Sequence, residues 1–247
     1  MSAQRVLVIG ATSAIAEACA RRLAARGARL YLIARDGERL QLMMRDLGLR
    51  GASAVASATV DLRAHAEHAR LVEDAWTHLG GVDAVLIAHG MLPDQATCEQ
   101  DMAALRDVFE TNTLSVMSLL THVAPRLIAQ RRGTIAVISS VAGDRGRASN
   151  YVYGASKAAL DAFLSGLRNR LAAHSIRVVT VKPGFVDTPM TAALRKGWLW
   201  ASPDQIARGI VRALDGGAEI VYLPWFWRPI MAVVRALPER WFKRMRL

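Results

Sequence analysis

Short apolar runs alternate along the chain with longer segments in which apolar residues recur at helical spacing. Runs such as Val-Leu-Val-Ile and Ala-Val-Leu-Ile-Ala contain no polar position, which is typical of strands buried on both faces of a parallel sheet. We predict strands over residues 5–10, 29–34, 54–60, 82–88, 134–139, 177–182 and 219–223. Predicted helices between them cover residues 14–26, 64–79, 107–130, 151–174 and 203–214.

The alternation of strand and helix predicts an α/β fold of the Rossmann type, a doubly wound parallel sheet of seven strands with helices on both faces. Ligands of such sheets bind at the carboxyl ends of the strands. No linker rich in Pro, Gly and Ser interrupts the pattern. We therefore predict one domain over residues 1–223 and a basic, aromatic C-terminal appendage over residues 224–247.

The composition fits one folded domain of the larger kind. Of 247 residues, 52% are hydrophobic and 21% are charged, which allows a full core and excludes wholesale disorder. Two cysteines without metal-type spacing exclude a disulfide scaffold and fit a reducing compartment. Neither a targeting segment nor a run of about 18 apolar residues is visible, so we expect a cytoplasmic protein.

The formal net charge of +11 is concentrated near the C-terminus. Residues 224–247 hold six basic residues and one acidic residue, and five of the six tryptophans lie at positions 198, 200, 225, 227 and 241. Aromatic residues interleaved with arginines are typical of a segment in a membrane interface, here the inner face of the membrane. The alternative is an oligomer contact or a pocket cover. No recognition motif accompanies the charge, so we expect no nucleic-acid partner.

The turn after the first predicted strand has the composition of a dinucleotide-binding turn. Residues 10–16 read Gly-Ala-Thr-Ser-Ala-Ile-Ala and lead into a helix, whose N-terminal N–H groups can bind a pyrophosphate. Only one glycine of the usual three is present, so an ordinary strand–helix turn is the alternative for this motif by itself. The residues expected at the phosphates are Gly10, Thr12, Ser13, Ala14 and Ile15.

The end of the second predicted strand bears on the choice of nucleotide. Arg35 follows this strand and suits a ribose 2′-phosphate, whereas Asp36 beside it suits a 2′-hydroxyl. Arg39 adds a second positive charge nearby. We therefore expect NADP, with NAD as the alternative.

Tyr153 and Lys157 stand four residues apart on a predicted helix, so their side chains share one face. A nearby ammonium favours the phenolate, so Lys157 is expected to lower the pKa of Tyr153 from about 10 toward the working pH. Such a tyrosine can donate a proton to a carbonyl or accept one from an alcohol. Taken alone, the motif also fits a surface pair without function.

The order of these motifs resembles the short-chain dehydrogenase/reductase family in its single-domain form, over nearly the whole chain. The further motifs that carry the resemblance are Asp61-Leu62, Ala88-His89-Gly90, Asn112 within the predicted helix 107–130, Ser140 at the end of a strand, and Pro183-Gly184. The resemblance implies an NAD(P)(H)-dependent oxidoreductase that interconverts a carbonyl and an alcohol, and that works as a dimer or tetramer.

The resemblance also implies a role for each residue. Tyr153 would be the general acid/base, Lys157 would lower its pKa and bind the nicotinamide ribose, and Ser140 would hold the substrate oxygen. Asn112 would position a water molecule that relays protons. The remaining implied cofactor contacts are Asp61 and Leu62 at the adenine, Ala88, His89 and Gly90 at the adenosine ribose, and Pro183, Gly184, Val186 and Thr188 at the nicotinamide.

Three positions depart from the family pattern. Ala14 and Ala16 replace glycines, and we expect the added methyl groups to shift the loop slightly without preventing binding. His89 stands where family members carry Asn, and a structural role is favoured over a catalytic one. The histidines form no ligand set, so no metal is expected.

The segment after Thr188 bears on the substrate. It contains aliphatic residues and two tryptophans, which suggest a greasy or flat ligand, and Arg195-Lys196, which could meet a phosphate or carboxylate. Packing of a lid on the core is an equal alternative for the tryptophans. The chain is also similar to a bacterial subgroup that includes ketoreductases acting on polyprenyl-phosphate-linked pentose, which implies a lipid-like or lipid-linked substrate.

A non-catalytic dinucleotide-binding regulator or scaffold is the alternative to an enzyme. The complete set of Asn112, Ser140, Tyr153 and Lys157 argues against it, because a scaffold has no need of that geometry.

Overall fold

The computed structural model describes residues 3–245 and contains a parallel sheet of seven strands. The strands are β1 (Arg5–Ile9), β2 (Arg29–Ala34), β3 (Ala54–Thr59), β4 (Ala84–Ile87), β5 (Gly133–Ile138), β6 (Ile176–Pro183) and β7 (Ile220–Leu223). Their order across the sheet is β3-β2-β1-β4-β5-β6-β7, with every neighbouring pair parallel. The predicted Rossmann-type fold is confirmed. The order reverses between β1 and β4, where such sheets bind ligands.

Helices cover both faces of the sheet. They are α1 (Ala14–Ala24), α2 (Gly37–Leu49), α3 (His68–Leu79), α4 (Gln95–Gln100), α5 (Met102–Phe109), α6 (Ser115–Gln130), α7 (Tyr151–Ala172), α8 (Pro203–Asp215), α9 (Trp227–Ala236) and α10 (Glu239–Phe242). Helices α1, α2 and α8 bury one apolar core against the sheet, and α3, α6 and α7 bury a second core on the opposite face. Continuous apolar strands are therefore required, because both faces of β1 and β4 are covered.

The predicted helix over residues 107–130 is helical throughout, but it is not one regular α-helix. Helix α5 ends at Phe109, a π-helical turn follows over Glu110–Leu114, and α6 begins at Ser115. A π turn inserts one extra residue per turn and is frequent at functional sites. Here it contains the buried Asn112. The predicted start of the helix at residue 64 is wrong, since a 3-10 turn over His65–Glu67 precedes α3.

Side-chain caps set the ends of the helices nearest the strand termini. Ser13 caps α1 by accepting a hydrogen bond from the Ala16 N–H, and Asp36 caps α2 by accepting one from the Arg39 N–H. Both caps lie at the carboxyl ends of strands, so the first turns of these helices face the region where a ligand is expected.

The C-terminal segment is packed on the domain. The inner face of α9 buries Trp227 and Met231 against Val141. The Arg145 guanidinium donates to the carbonyls of Val234 and Leu237 at the end of this helix, and it also pairs with Glu239 at 2.8 Å. Among residues 3–245, no helix is long and apolar enough to cross a membrane.

Candidate active site

The turn after β1 is tightly folded around Gly10, which has φ +75°. A Cβ atom built on Gly10 would lie 2.5 Å from the backbone nitrogen of His89, so a larger residue fits neither the conformation nor the space. Thr12, Ser13, Ala14 and Ile15 are only partly buried, at the start of α1. Ala16, by contrast, is fully buried in the core beneath them. Its extra methyl group is thus absorbed by packing.

Two arginines, Arg35 and Arg39, follow the end of β2, together with Asp36, which caps α2. Arg35 is exposed, and its charge contributes to the lowered pKa of Asp61, which is caused mainly by hydrogen bonds from Arg63. The Arg39 guanidinium donates to the Thr12 carbonyl at 3.0 Å, so it stands on the turn after β1. One carboxylate oxygen of Asp36 accepts a hydrogen bond from the Arg39 N–H in the cap of α2. Arg35 is therefore the exposed positive group nearest the end of β2, while Arg39 is held against the turn after β1.

The loop after β4 brings residues 88–90 against this turn. Ala88 extends the strand by donating its N–H to the Ile9 carbonyl at 2.8 Å. The His89 Nε2 lies 2.8 Å from the Ser115 hydroxyl, which itself donates to the Thr111 carbonyl. Ser115 must therefore accept the bond, so His89 carries its proton on Nε2. Burial lowers the pKa of His89 to about 3 and keeps it neutral.

Asn112 ties the loop after β4 to the π turn. Its side chain accepts from the Met91 N–H at 2.8 Å, and its amide donates to the Met91 carbonyl at 2.9 Å and to the Ser156 hydroxyl at 3.1 Å. A buried amide in this setting needs such partners. The extra residue of the π turn lets Asn112 reach both the loop and α7.

Ser140 lies at the carboxyl end of β5 and caps the short 3-10 turn over Val141–Asp144. Its hydroxyl also forms a hydrogen bond with Tyr153, which lowers the tyrosine pKa. The stronger effect is burial, and the pKa of Tyr153 rises to about 12. The expected lowering of the Tyr153 pKa by Lys157 is wrong. Tyr153 is protonated at neutral pH.

Lys157 is buried one helical turn beyond Tyr153, with its Nζ 5.9 Å from the centre of the tyrosine ring. The ammonium donates to the Ile138 carbonyl at 3.1 Å. Burial lowers the pKa of Lys157 to about 8, while the Asp161 charge opposes this change. The Lys157 ammonium can thus gain or lose its proton close to neutral pH.

The turn after β6 is covered by the C-terminal helix. Pro183 pairs with Leu223 of β7, and the Gly184 N–H donates to the Leu223 carbonyl at 3.0 Å. A Cβ atom on Gly184 would lie 1.9 Å from the indole nitrogen of Trp227. Only glycine leaves room for this tryptophan, so α9 is part of the wall behind the turn. Val186 is buried beyond it, and Thr188 begins a 3-10 turn.

An apolar cavity of about 320 Å³ lies next to this turn. Its lining residues are Phe185, Leu194, Arg195, Gly197, Trp198, Leu199 and Trp200. Phe185 stacks on Trp200 and meets Trp227 edge-on, with 5.5 Å between ring centres in each pair. Of the two predicted basic residues, Lys196 is paired with Asp187 at 2.6 Å, whereas Arg195 lines the cavity.

The histidines of the α3 region have local partners. His68 contacts the Leu62 carbonyl and the Ser118 hydroxyl, and the His65 Nε2 lies 2.7 Å from Glu110 Oε1. Leu62 is buried beside them, and Asp61 is exposed. Within residues 3–245, no group of three or more His, Cys, Asp or Glu could hold a metal ion.

Comparison with known proteins agrees with this geometry. The model of the family described as short chain dehydrogenase matches residues 4–198. An uncharacterized oxidoreductase of Mycobacterium tuberculosis is 38% identical over 240 residues, which cover 97% of this chain and 96% of the relative. An uncharacterized oxidoreductase of Streptomyces coelicolor is 38% identical over 241 residues, covering 97% and 95%. The chain belongs to the short-chain dehydrogenase family.

Solved structures share the fold over almost the full length. A short chain dehydrogenase from Burkholderia cenocepacia, crystallised in complex with NADP, superposes with a TM-score of 0.81 at 25% identity, covering 97% of this chain and 95% of that one. A variant of actinorhodin polyketide ketoreductase with NADPH superposes with a TM-score of 0.79 at 27% identity, covering 89% and 95%.

The structure adds three features to the predicted site. Arg39 contacts the turn after β1, Trp227 packs on Gly184, and a buried ion cluster around Lys182 lies behind α7. The sequence carries one signal for the cluster, because Asp161 continues the four-residue spacing of Tyr153 and Lys157. Nothing in the local sequence indicates that Trp227 reaches Gly184, since 42 positions separate them.

Proposed function

We propose that the protein is an NADP(H)-dependent oxidoreductase that reduces a carbonyl on a lipid-like or lipid-linked substrate, with Tyr153 as the proton donor. One observation carries the proposal: Ser140, Tyr153 and Lys157 meet at the carboxyl end of β5, beside the turn after β1 and the buried Asn112. A dinucleotide and a proton donor at one strand edge are what hydride transfer to a carbonyl requires.

The residues present fit a dinucleotide. A Cβ atom on Gly90 would lie 3.1 Å from Asn112 Oδ1 and 3.5 Å from Lys157 Nζ, so the glycine keeps the space in front of the lysine open. The buried His89 Nδ1 has no hydrogen-bond partner among the described residues, and as an acceptor it suits a ribose hydroxyl. Gly10, Thr12, Ser13, Ala14 and Ile15 would hold the phosphates.

NADP(H) is the cofactor of this chain, as its family membership and the two ligand-bound structures support. Arg35 and Arg39 supply positive charge for a 2′-phosphate, whereas Asp36 is engaged in capping α2. Asp61, Leu62 and Ala88 would line the adenosine side. Pro183, Gly184, Val186 and Thr188 would line the nicotinamide side.

The protonation state of Tyr153 favours reduction. When bound, NADPH supplies the hydride. With a pKa raised to about 12 by burial, the Tyr153 hydroxyl keeps its proton at neutral pH and can donate it to the carbonyl oxygen. Ser140 would hold this oxygen, and Lys157 would bind the ribose and return a proton to the tyrosine.

The apolar cavity supports a lipid-like substrate. Its walls are aromatic and aliphatic except for Arg195, which could meet a phosphate or carboxylate on the substrate. The stacked rings of Trp200, Phe185 and Trp227 connect these walls to α9. A substrate with an apolar chain and one anionic group fits this surface.

The outer face of the C-terminal segment supports peripheral contact with an anionic membrane. Trp225 and Trp241 are 77% and 55% exposed, and Val233 and Met245 are exposed beside them. The exposed basic residues of this surface are Arg228, Arg235, Arg240, Lys243 and Arg244; the predicted contribution of Arg246 lies outside the described residues. Five positive charges can contribute about 1 kcal/mol each near anionic lipid. Self-association through this face would bring like charges together.

Cofactor titration tests the enzyme half of the proposal. Purified protein is titrated with NADPH and NADH while nicotinamide fluorescence is followed, and NADPH oxidation is then measured with a panel of apolar ketones and lipid-linked keto sugars. We expect preferential NADPH binding and turnover of at least one lipid-like ketone. Binding of NADPH without turnover of any carbonyl would favour the non-catalytic scaffold instead.

Vesicle sedimentation tests the membrane half. We expect binding to vesicles of equal parts phosphatidylglycerol and phosphatidylcholine but not to phosphatidylcholine alone. Replacing Arg240, Lys243 and Arg244 with Gln should weaken binding about a hundredfold, from about 1 kcal/mol per charge. The control replaces Arg45, which is exposed on α2. Equal binding of both variants would exclude this surface, and light scattering would show whether it joins subunits of a dimer or tetramer.

A further inference from the structure

A third polar residue continues the line of Tyr153 and Lys157 along α7. Asp161 stands four residues beyond Lys157, so the three side chains lie on one face of the helix. The charge of Asp161 favours the ammonium of Lys157 and disfavours the phenolate of Tyr153. The Asp161 carboxylate thus raises the pKa values of both Lys157 and Tyr153.

Asp161 belongs to a buried ion cluster. Lys182, which directly precedes Pro183, lies 2.8 Å from the Asp161 carboxylate and donates a hydrogen bond to Asp144. The Tyr222 hydroxyl donates to the other oxygen of Asp144 at 2.9 Å. The side chains of Lys182, Asp144 and Asp161 are only 10%, 2% and 15% exposed. Two carboxylates therefore share one ammonium away from water.

The cluster is attached to the elements that form the site. Asp144 ends the 3-10 turn that Ser140 caps, and Lys182 lies at the end of β6. A Cβ atom on Gly143 would lie 2.8 Å from Asp161, so this turn is pressed against the cluster. Three titratable groups face Lys157. They are Tyr153 and Asp161 on α7 and His89 after β4. Lys182 on β6 and Asp144 after β5 belong to the cluster around Asp161.

We propose that Asp161, held by Lys182, is a positioning residue that keeps Lys157 charged and Tyr153 protonated at working pH. It acts through the lysine and does not touch the substrate. Loss of its charge removes a negative neighbour from both groups, and the pKa values of Lys157 and Tyr153 should then both fall. The inference deepens the proposed function, since it concerns the proton donor of the same site.

The lysine content of the chain allows a direct measurement. The chain has four lysines, Lys157, Lys182, Lys196 and Lys243, so protein labelled with ¹³C-lysine gives four resolvable Cε signals. Lys157→Met assigns the relevant one. In the wild type this signal should titrate with a midpoint near the pKa of about 8, well below an exposed lysine. In Asp161→Asn the midpoint should fall by about one pH unit or more.

A matched control removes a carboxylate from an ion pair elsewhere. Asp83 pairs with Arg5 at the amino ends of the strands, so Asp83→Asn should leave the Lys157 midpoint unchanged. A folded Asp161→Asn protein with an unchanged midpoint overturns the proposal. Should that variant fail to fold, Asp161→Ser decides, because it removes the same charge with a smaller side chain. A downward shift supports the proposal, and no shift overturns it.

Catalysis provides a second, separable result. The rate of NADPH-dependent reduction should fall at lower pH in Asp161→Asn than in the wild type, because Tyr153 loses its proton earlier. A wild-type protein that reduces no carbonyl would contradict the proposed function, while the lysine titration would still decide the role of Asp161.

Discussion

The two ends of the sheet use ion pairs differently. At the amino ends of β1 and β4, Arg5 binds Asp83 through two nitrogens at 2.7 and 3.0 Å, and these hydrogen bonds lower the pKa of the carboxyl. At the carboxyl end of β6, Asp161 meets Lys182, yet burial raises the pKa of this carboxyl. Each carboxylate has a basic partner, yet the pKa of Asp83 is lowered and the pKa of Asp161 is raised.

Solvent and charge balance explain the difference. Asp83 pairs with Arg5 and lies 3.9 Å from Arg132, and its side chain is 31% exposed. The cluster at the other end places two carboxylates on one lysine with less water. The amino end therefore holds a fully ionised pair that contributes to stability. The carboxyl end holds charges whose protonation can respond to neighbours, which is what a site for proton transfer needs.

The largest expected effect comes from removing the proposed proton donor at the carboxyl end. Tyr153→Phe should lower kcat about a thousandfold, the scale of general acid catalysis, without changing NADPH affinity or thermal stability. Steady-state kinetics and cofactor titration measure the two quantities. Tyr151→Phe, on the exposed side of the same helix, is the control. Full activity in Tyr153→Phe would remove the catalytic assignment.

A change at Gly184 should affect stability and site together. Gly184→Ala forces Trp227 away, and overpacking of this kind costs about 1–3 kcal/mol. Denaturant unfolding followed by tryptophan fluorescence should show the loss. Gly166→Ala, with no atom within 4 Å of the new methyl group, should instead be neutral or slightly stabilising. Equal stabilities of the two variants would mean that the tail does not pack on this turn.

Removing the Arg35 charge should lower the preference for NADPH over NADH without abolishing nucleotide binding. Arg35→Ala should weaken NADPH binding about tenfold, or about 1.4 kcal/mol, and leave NADH binding unchanged. Fluorescence titration of both nucleotides measures the ratio, with Arg45→Ala as the control. Equal losses for both nucleotides would assign Arg35 a role other than contact with the 2′-phosphate.

The smallest expected effect comes from breaking the Arg5–Asp83 pair at the amino end, and it should change the stability of the protein but not its turnover. Asp83→Asn should lower the free energy of unfolding by about 1 kcal/mol at pH 7, since the pair is partly exposed. The folded-state pKa of Asp83 is depressed, so its contribution is present above the unfolded pKa of about 3.9 and is lost as pH falls through the folded value. Urea unfolding at pH 7 should show this difference in the free energy of unfolding between wild type and Asp83→Asn. At acid pH the difference should disappear. Turnover should be the same in both proteins.

The sequence was sufficient for the sheet because its strands are continuous apolar runs between helical segments. The π turn at Asn112 escaped prediction, since its extra residue is set by contacts to Met91 and Ser156 that are remote in sequence. The direction of the Tyr153 pKa was also wrong, because spacing reveals the neighbouring lysine but not the depth of burial. The cluster at Lys182 joins three distant segments, so only the fold assembles it.

The contact between Trp227 and Gly184 has a consequence for synthesis of the protein. Gly184 leaves the ribosome well before Trp227, and domains generally begin to fold from the N-terminus as the chain emerges. Strands β1 to β6 can form while the final segment is still being translated, but the wall behind the Pro183–Gly184 turn cannot. Ribosome-bound chains that lack α9 and α10 should therefore hold a nearly complete sheet and an unfinished site.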